Sequence, residues 1–132
     1  LNDQGKHAEA EKEHRAVLAL RERLLGTKHA KTLASRNNLA AVLQEQGRHA
    51  EAEREHRTVL ELRQQVLGAR HPDVFLSCFN LALCLEAQSK LDEALPCMRR
   101  AQAGFQKHLG ANHPHAQFAV ESVQRIEAEM KP

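Results

Sequence analysis

The chain repeats itself every 42 residues, and nothing else in it constrains the fold as strongly. Gly5, Gly47 and Ser89 hold this step, as do Gly26, Gly68 and Gly110, and His29, His71 and His113. Ala10, Ala52 and Ala94 keep it, and so do Arg15, Arg57 and Arg99. Residues 5–46 and 47–88 share 22 identities in 42. The third copy keeps Gly110, His113 and Pro114 but loses the asparagine-leucine-alanine core of the first two. A repeat of this length is one supersecondary unit that cannot bury its apolar face alone, so the copies must stack on one another.

Each copy divides into two helical stretches. In the second copy, Ala50, Ala52, His56, Val59, Leu60, Val66 and Leu67 recur at intervals that share one helical face. Gly68 follows where a helix C-terminus needs positive φ. Pro72 then opens the next helix at a position where a missing N–H is harmless. In that helix Leu81, Ala82 and Leu85 share a side, as Leu39, Ala40 and Leu43 do in the first copy. The spacing predicts six helices, near 5–25, 30–46, 48–67, 72–88, 90–109 and 114–130. Short connections make sequential helices antiparallel neighbours. The expected fold class is all-α, an α-solenoid of antiparallel helix pairs with a C-terminal capping helix.

One repeat domain is expected over 1–132: a partial repeat over 1–26 lacking its first helix, repeats over 27–68 and 69–110, and a capping helix over 111–132. Leu1–Gly5 (LNDQG) matches Leu43–Gly47 (LQEQG), so the chain is expected to begin at the tail of a helix whose body is absent. The N-terminus then reads as a cut or a docking site. The last helix is rich in Gln117, Glu121, Gln124, Arg125, Glu127 and Glu129, as a terminal cap requires, so the C-terminus reads as a natural end.

Composition narrows the function classes. Leu (18) and Ala (20) supply most apolar content, while Val, Ile and Thr total 11, which disfavours sheets. With four Phe, no Tyr and no Trp, little is left to stack on nucleic-acid bases. Nineteen basic residues against 17 acidic ones give no electrostatic case for nucleic acid or membranes. The apolar runs are too short to span a bilayer, and no signal peptide is present. Cys78, Cys84 and Cys97 are odd in number and form no CxxC pair, which suits a reducing, cytoplasmic setting.

The segments LGTKHAKTLASRNNLAAVLQEQGRHAEAEREHR and LGARHPDVFLSCFNLALCLEAQSKLDEALPCMR carry the pattern LGxxHP…NxLAxxL…GxxxEAExxxR. This resembles tetratricopeptide repeats of the kinesin light chain type, which are longer than the common 34-residue unit. The look is similar to the bacterial kinesin light chain-like proteins found beside bacterial tubulins. Departures are visible. Ala30 replaces a proline, which predicts a looser turn at 26–30. Ser89 replaces glycine and Phe79 replaces the first of two asparagines. His14 and His56 stand where an aromatic is usual.

The resemblance implies a non-catalytic scaffold that binds a partner peptide or protein, with a tubulin-like filament as one candidate. It also implies that the first helix of each pair lines a concave groove. If Leu39, Ala40 and Leu43 face the paired helix, then Ala34, Asn38, Ala41 and Glu45 form the neighbouring stripe, with Asn37 and Gln44 at its edges. The second copy offers Leu76, Asn80 and Leu83 flanked by Phe79 and Glu86, and the third offers Phe118, Ser122 and Arg125. The resemblance implies that Asn38 and Asn80 grip an extended partner backbone, since an amide donates and accepts at once. The alternative is surface amides bonded to water or a neighbouring helix. Leu76, Phe79 and Leu83 either receive a partner side chain or pack on helix 114–130 at Phe118. Self-association as a homodimer through the N-terminal helix is the other reading of function.

Nothing calls for a cofactor. His7/His14 and His49/His56 are seven residues apart, roughly 10 Å along a helix, too far to share one metal ion. His113-Pro-His115 lacks a third ligand. His29, His71 and His113 read as repeated turn residues. No nucleophile elbow or phosphate-cradling glycine motif occurs, so no catalytic residue is assigned. The cysteines read as buried structural thiols, the alternative being a reactive Cys97 beside Arg99 and Arg100. EAEKEHR and EAEREHR place alternating charges on the outer helices, either as a solvated face held by i,i+4 pairs or as a surface that docks on an acidic filament wall.

Overall fold

A computed structural model describes residues 3–132. They form six helices: α1 (Asp3–Leu25), α2 (Ala30–Glu45), α3 (His49–Leu67), α4 (Pro72–Ala87), α5 (Leu91–Leu109) and α6 (Pro114–Met130), with no strand among the described residues. The boundaries lie within two residues of those the repeat predicts. Asp3–Gly5 form the first turn of α1, so this part of the LNDQG segment belongs to the same helix as the residues that follow. Leu1 and Asn2 lie outside the described residues. The chain packs into two compact units, Leu1–Val66 and Leu67–Pro132, and their boundary falls within two residues of the second repeat boundary at Gly68.

In the first unit, α1 and α2 run antiparallel. Gln46 Nε2 donates to the His7 carbonyl near one end, while Arg21 donates to the Lys31 carbonyl and to Ser35 Oγ near the other. Leu33, Leu39, Ala40 and Leu43 are buried on α2, and Ala52, His56 and Val59 on α3. Full burial of each leucine side chain stabilises the fold by about 1.5–3 kcal/mol. Arg36 on α2 spans the unit, reaching Glu22 on α1 at 2.9 Å and Glu55 on α3 at 2.8 Å.

In the second unit, α4, α5 and α6 form consecutive antiparallel pairs. Phe79 meets Phe105 and Phe75 meets His108 across α4 and α5, whereas Phe105 meets His115 and Arg99 reaches Glu127 across α5 and α6. Val74, Cys78, Leu81, Ala82, Cys84, Leu85, Met98 and Ile126 are buried here. Pro96 sits exposed near the start of α5, and the helix continues through it.

The turns explain why the repeat is so regular. After α2, Arg48 N–H bonds the Leu43 carbonyl and Gly47 N–H bonds the Gln44 carbonyl, both at 2.9 Å. After α4, Lys90 N–H and Ser89 N–H bond the Leu85 and Glu86 carbonyls at the same distance. This double bond closes a helix only if the pivot residue adopts positive φ. Gly47 does so at 79°, and Ser89, where glycine is missing, is forced to 60°. At the other turns His29, His71 and His113 are helix N-caps. Each Nδ1 accepts the backbone N–H two residues on, at 3.1 Å. The looser turn expected at Ala30 is not seen at this cap: His29 has φ −67 and ψ 142, against −72 and 140 for His71 before Pro72. The imidazole acceptor, not the proline, sets the geometry.

Candidate functional site

The stripe that helical phase predicts on α2 is present. Ala34, Asn38, Ala41 and Glu45 are all exposed, while Leu39, Ala40, Val42 and Leu43 between them are buried. Exposed small residues flanking an exposed amide leave room for another chain to approach the Asn38 side chain. Asn37 is half-buried and already engaged within the protein. Gln44 is also half-buried. Its Oε1 accepts from His56 Nε2 at 2.6 Å, so it ties α2 to α3. His56 fills the aromatic-sized slot between these helices, only 3% exposed, and burial pushes its pKa down to about 4. The ring is therefore neutral at physiological pH, with its proton on Nε2.

The corresponding stripe on α4 is more enclosed. Leu76 is 37% exposed, but Phe79, Asn80 and Leu83 are half-buried, and Asn80 is engaged within the protein. Phe79 lies 5.4 Å from Phe118 in an edge-on contact and 6.0 Å from Phe105. Phe79 thus packs on α6 at Phe118, as one of the two readings of this patch expects. Phe118 itself remains 48% exposed, so the aromatic surface continues outward.

Arg125 is committed within its unit. Its Nε and Nη2 grip both Glu86 oxygens at 2.6 and 2.8 Å, and Nη2 also donates to Ser122 Oγ. The Glu86 carboxylate raises the guanidinium pKa further, and the planar fork fixes α6 to α4. Ser122 is buried, so it leaves the exposed stripe. The apolar register of α6 brings it inside beside Val123 and Ile126.

Of the three cysteines, Cys97 is half-buried and not fully buried as expected. Cys78 and Cys84 are buried, and burial drives the Cys78 thiol up to about 11. A thiol that holds its proton so tightly is a poor nucleophile. Among the described residues, no three His, Cys, Asp or Glu side chains are grouped to hold a metal ion. No helix among them is long and apolar enough to cross a membrane. On the outer helices Arg15 pairs with Glu11 at 2.8 Å and Arg57 with Glu53 at 2.9 Å, the i,i+4 pairs their spacing predicts. Glu11 also holds Arg48, and the Arg15 hydrogen bond leads the causes that lower its pKa.

A sequence profile described as the tetratricopeptide repeat matches residues 1–65 and 35–107. The chain belongs to the tetratricopeptide repeat family. Among solved structures, the tetratricopeptide-like repeats assigned to a kinesin light chain of Podosopora anserina align with a TM-score of 0.86 at 26% identity. They cover 93% of this chain and 58% of that one. A single-substitution variant of the same protein aligns with a TM-score of 0.86 at 25% identity, with the same coverage. BtubC (BKLC) from P. vanneervenii aligns with a TM-score of 0.75 at 22% identity, covering 96% of this chain and 58% of that one. The chain thus spans somewhat over half the length of these structural relatives. No curated protein sequence matches it. The all-α fold of paired helices is that of the tetratricopeptide solenoids, a family of protein-interaction scaffolds.

Two features of this tetratricopeptide chain escape a reading by phase and resemblance. One is the histidine N-cap. Its signal is position, because a polar acceptor immediately before the first helical residue is where Ser, Thr, Asp or Asn usually caps. The other is Gly104. A Cβ there would lie 2.1 Å from the Phe75 ring. The repeat aligns Gly104 with Leu62 and Phe75 with Leu33, so a larger residue on α4 accompanies the loss of a side chain on α5.

Proposed function

We propose that this chain is a non-catalytic interaction module that receives a partner protein segment on the exposed face of α2. The observation that carries this reading is the stripe of Ala34, Asn38, Ala41 and Glu45, exposed along a helix whose Thr32, Leu33, Ser35, Leu39, Ala40, Val42 and Leu43 are buried. Asn38 supplies a donor and an acceptor to the partner backbone, and the two alanines let it come close. Gln44 and Arg125 act instead as internal ties. The test is affinity capture from the source organism, followed by mass spectrometry, with wild type compared to an Asn38→Ala, Ala41→Arg double variant. A partner held by wild type is expected to fall at least tenfold with the variant. Equal recovery overturns the assignment.

A tubulin-like filament is the first partner to try, on the resemblance carried by the 42-residue repeats. Co-pelleting with assembled filaments should weaken as salt rises, because exposed charges are screened. Absent or salt-indifferent co-pelleting removes this partner. A homodimer is the second reading, favoured by α1, where Val17, Leu20 and Leu24 are 41%, 46% and 67% exposed. Sedimentation at micromolar concentration should then show a dimer that Leu20→Glu with Leu24→Glu dissolves. A monomeric wild type excludes it.

A further inference from the structure

We propose that the uncovered face of α1 is a docking site for one helix of a partner protein, a helix built to the pattern of α2 and carrying a basic residue for Glu13. The template lies within the first unit. Arg36 and Gln44 of α2 reach Glu55 and His56 of α3, at 2.8 and 2.6 Å. Ala52 and Val59 stand one turn to either side on the same face of α3, and they are 0% and 1% exposed. Helix α1 copies that face. Gly5–Leu25 and Gly47–Leu67 share 14 identities in 21. Ala10, Glu13, His14 and Val17 hold the places of Ala52, Glu55, His56 and Val59, with no substitution among them.

Among the described residues, no helix does for α1 what α2 does for α3. Ala10 and His14 are only half-buried and Glu13 is exposed. Val17 is 41% exposed, and Leu20 one turn on is 46% exposed. In α5 the equivalents of Ala10, His14 and Val17 are Ala94, Met98 and Ala101, all at 0%. The face is thus covered in two copies of the repeat and open in the first. Charge decides the occupant. Glu55 holds Arg36, whereas Glu13 has no ion pair among the described residues. A second copy offering its own α1 stripe brings no lysine or arginine to that position, so the Glu13 carboxylate would be covered without a cation, which is costly. A helix of the α2 kind meets every group. Its Arg or Lys pairs with Glu13, a Gln or Asn eight residues on bonds His14, and a Leu/Ala face lies on Val17 and Leu20, as an amphipathic helix does in an apolar groove.

The face is separate from the α2 stripe, and its titration stands whatever the affinity capture returns. The probe is α2 itself, an acetylated, amidated peptide of residues 28–48, added to the isotope-labelled full chain and followed by NMR. Saturable shifts are expected at Ala10, Glu13, Val17 and Leu20, with Ala52 and Val59 of α3 unmoved. A peptide carrying Arg36→Glu should bind roughly fivefold more weakly, since it sets two carboxylates against each other. Glu13→Lys in the protein should weaken the unaltered peptide by a similar factor and restore binding of the Arg36→Glu peptide. Glu13 is exposed, so the variant should keep the wild-type circular dichroism and melt. Restoration by charge exchange separates a direct pair from a general loss of charge. Sedimentation of the wild type alone should show a monomer at micromolar concentration. No saturable shift on α1 at millimolar peptide, indifference to both charge reversals, failed restoration, or a wild-type dimer that covers α1 would each overturn the proposal.

Discussion

Acidifying the protein from pH 7 to pH 5 should expose what His56 costs the fold. In the native state burial holds its pKa at about 4, against 6.5 for a free imidazole. A proton on the ring would have to sit in a slot that is 3% exposed, beside Val59 and the Gln44 amide. The unfolded chain binds that proton below pH 6.5 and the folded chain does not until about pH 4. Stability from this residue is therefore complete above pH 6.5 and lost as the pH falls towards 4. One pH unit is worth about 1.4 kcal/mol, so at pH 5, 1.5 units below the free value, the loss is about 2 kcal/mol. Against the 5–15 kcal/mol of an ordinary domain this is a large share. For a chain of this length it lowers Tm by roughly 6–10 °C.

The comparison that isolates His56 is His56→Phe, which keeps an aromatic in the slot and removes the proton. At pH 7 the variant loses the hydrogen bond to Gln44 and should be about 1 kcal/mol less stable. Between pH 7 and pH 5 wild type should lose about 2 kcal/mol more than the variant, and the two curves should cross. Thermal or urea melts followed by circular dichroism at half-unit pH steps measure both. The other titrating groups are common to both proteins and cancel in the difference. Identical pH slopes would refute the claim that a neutral, buried imidazole is required here.

Gly104→Ala should destabilise the second unit by about 1–3 kcal/mol despite alanine's better helix propensity, because its Cβ would lie 2.1 Å from the Phe75 ring; denaturant melts check this. His71→Ala should cost about 1 kcal/mol through the lost N-cap of α4, and His71→Asn should recover most of it in the same assay. Ser89→Gly should stabilise the chain by about 0.5–1 kcal/mol by relieving a left-handed backbone at φ 60, seen as a raised Tm.

Much of the candidate site is legible in the repeat. The exposed Ala34–Asn38–Ala41–Glu45 stripe follows from helical phase once Leu39, Ala40 and Leu43 are placed inward. Phase assigns a residue to a face, but it does not say what a long side chain on that face will touch. Gln44 lies at the edge of the stripe and turns back to His56, and Arg125 lies on the equivalent stripe and closes on Glu86 from another helix. Asn38 and Asn80 are repeat equivalents, yet one is exposed and the other half-buried, because the residues packed around α4 differ from those around α2.

The sequence alone determines the elements, their order and their turns. Each is set by local chemistry repeated at a constant step: leucine periodicity, a positive-φ pivot and an imidazole cap. Tertiary structure decides which polar groups are spent and which remain available. Hydrogen bonds such as Gln44 to His56 join residues 12 apart, and the Glu86–Arg125 fork joins residues 39 apart. It also decides the role of Gly104, whose missing side chain lets the Phe75 ring of another helix lie against the α5 backbone.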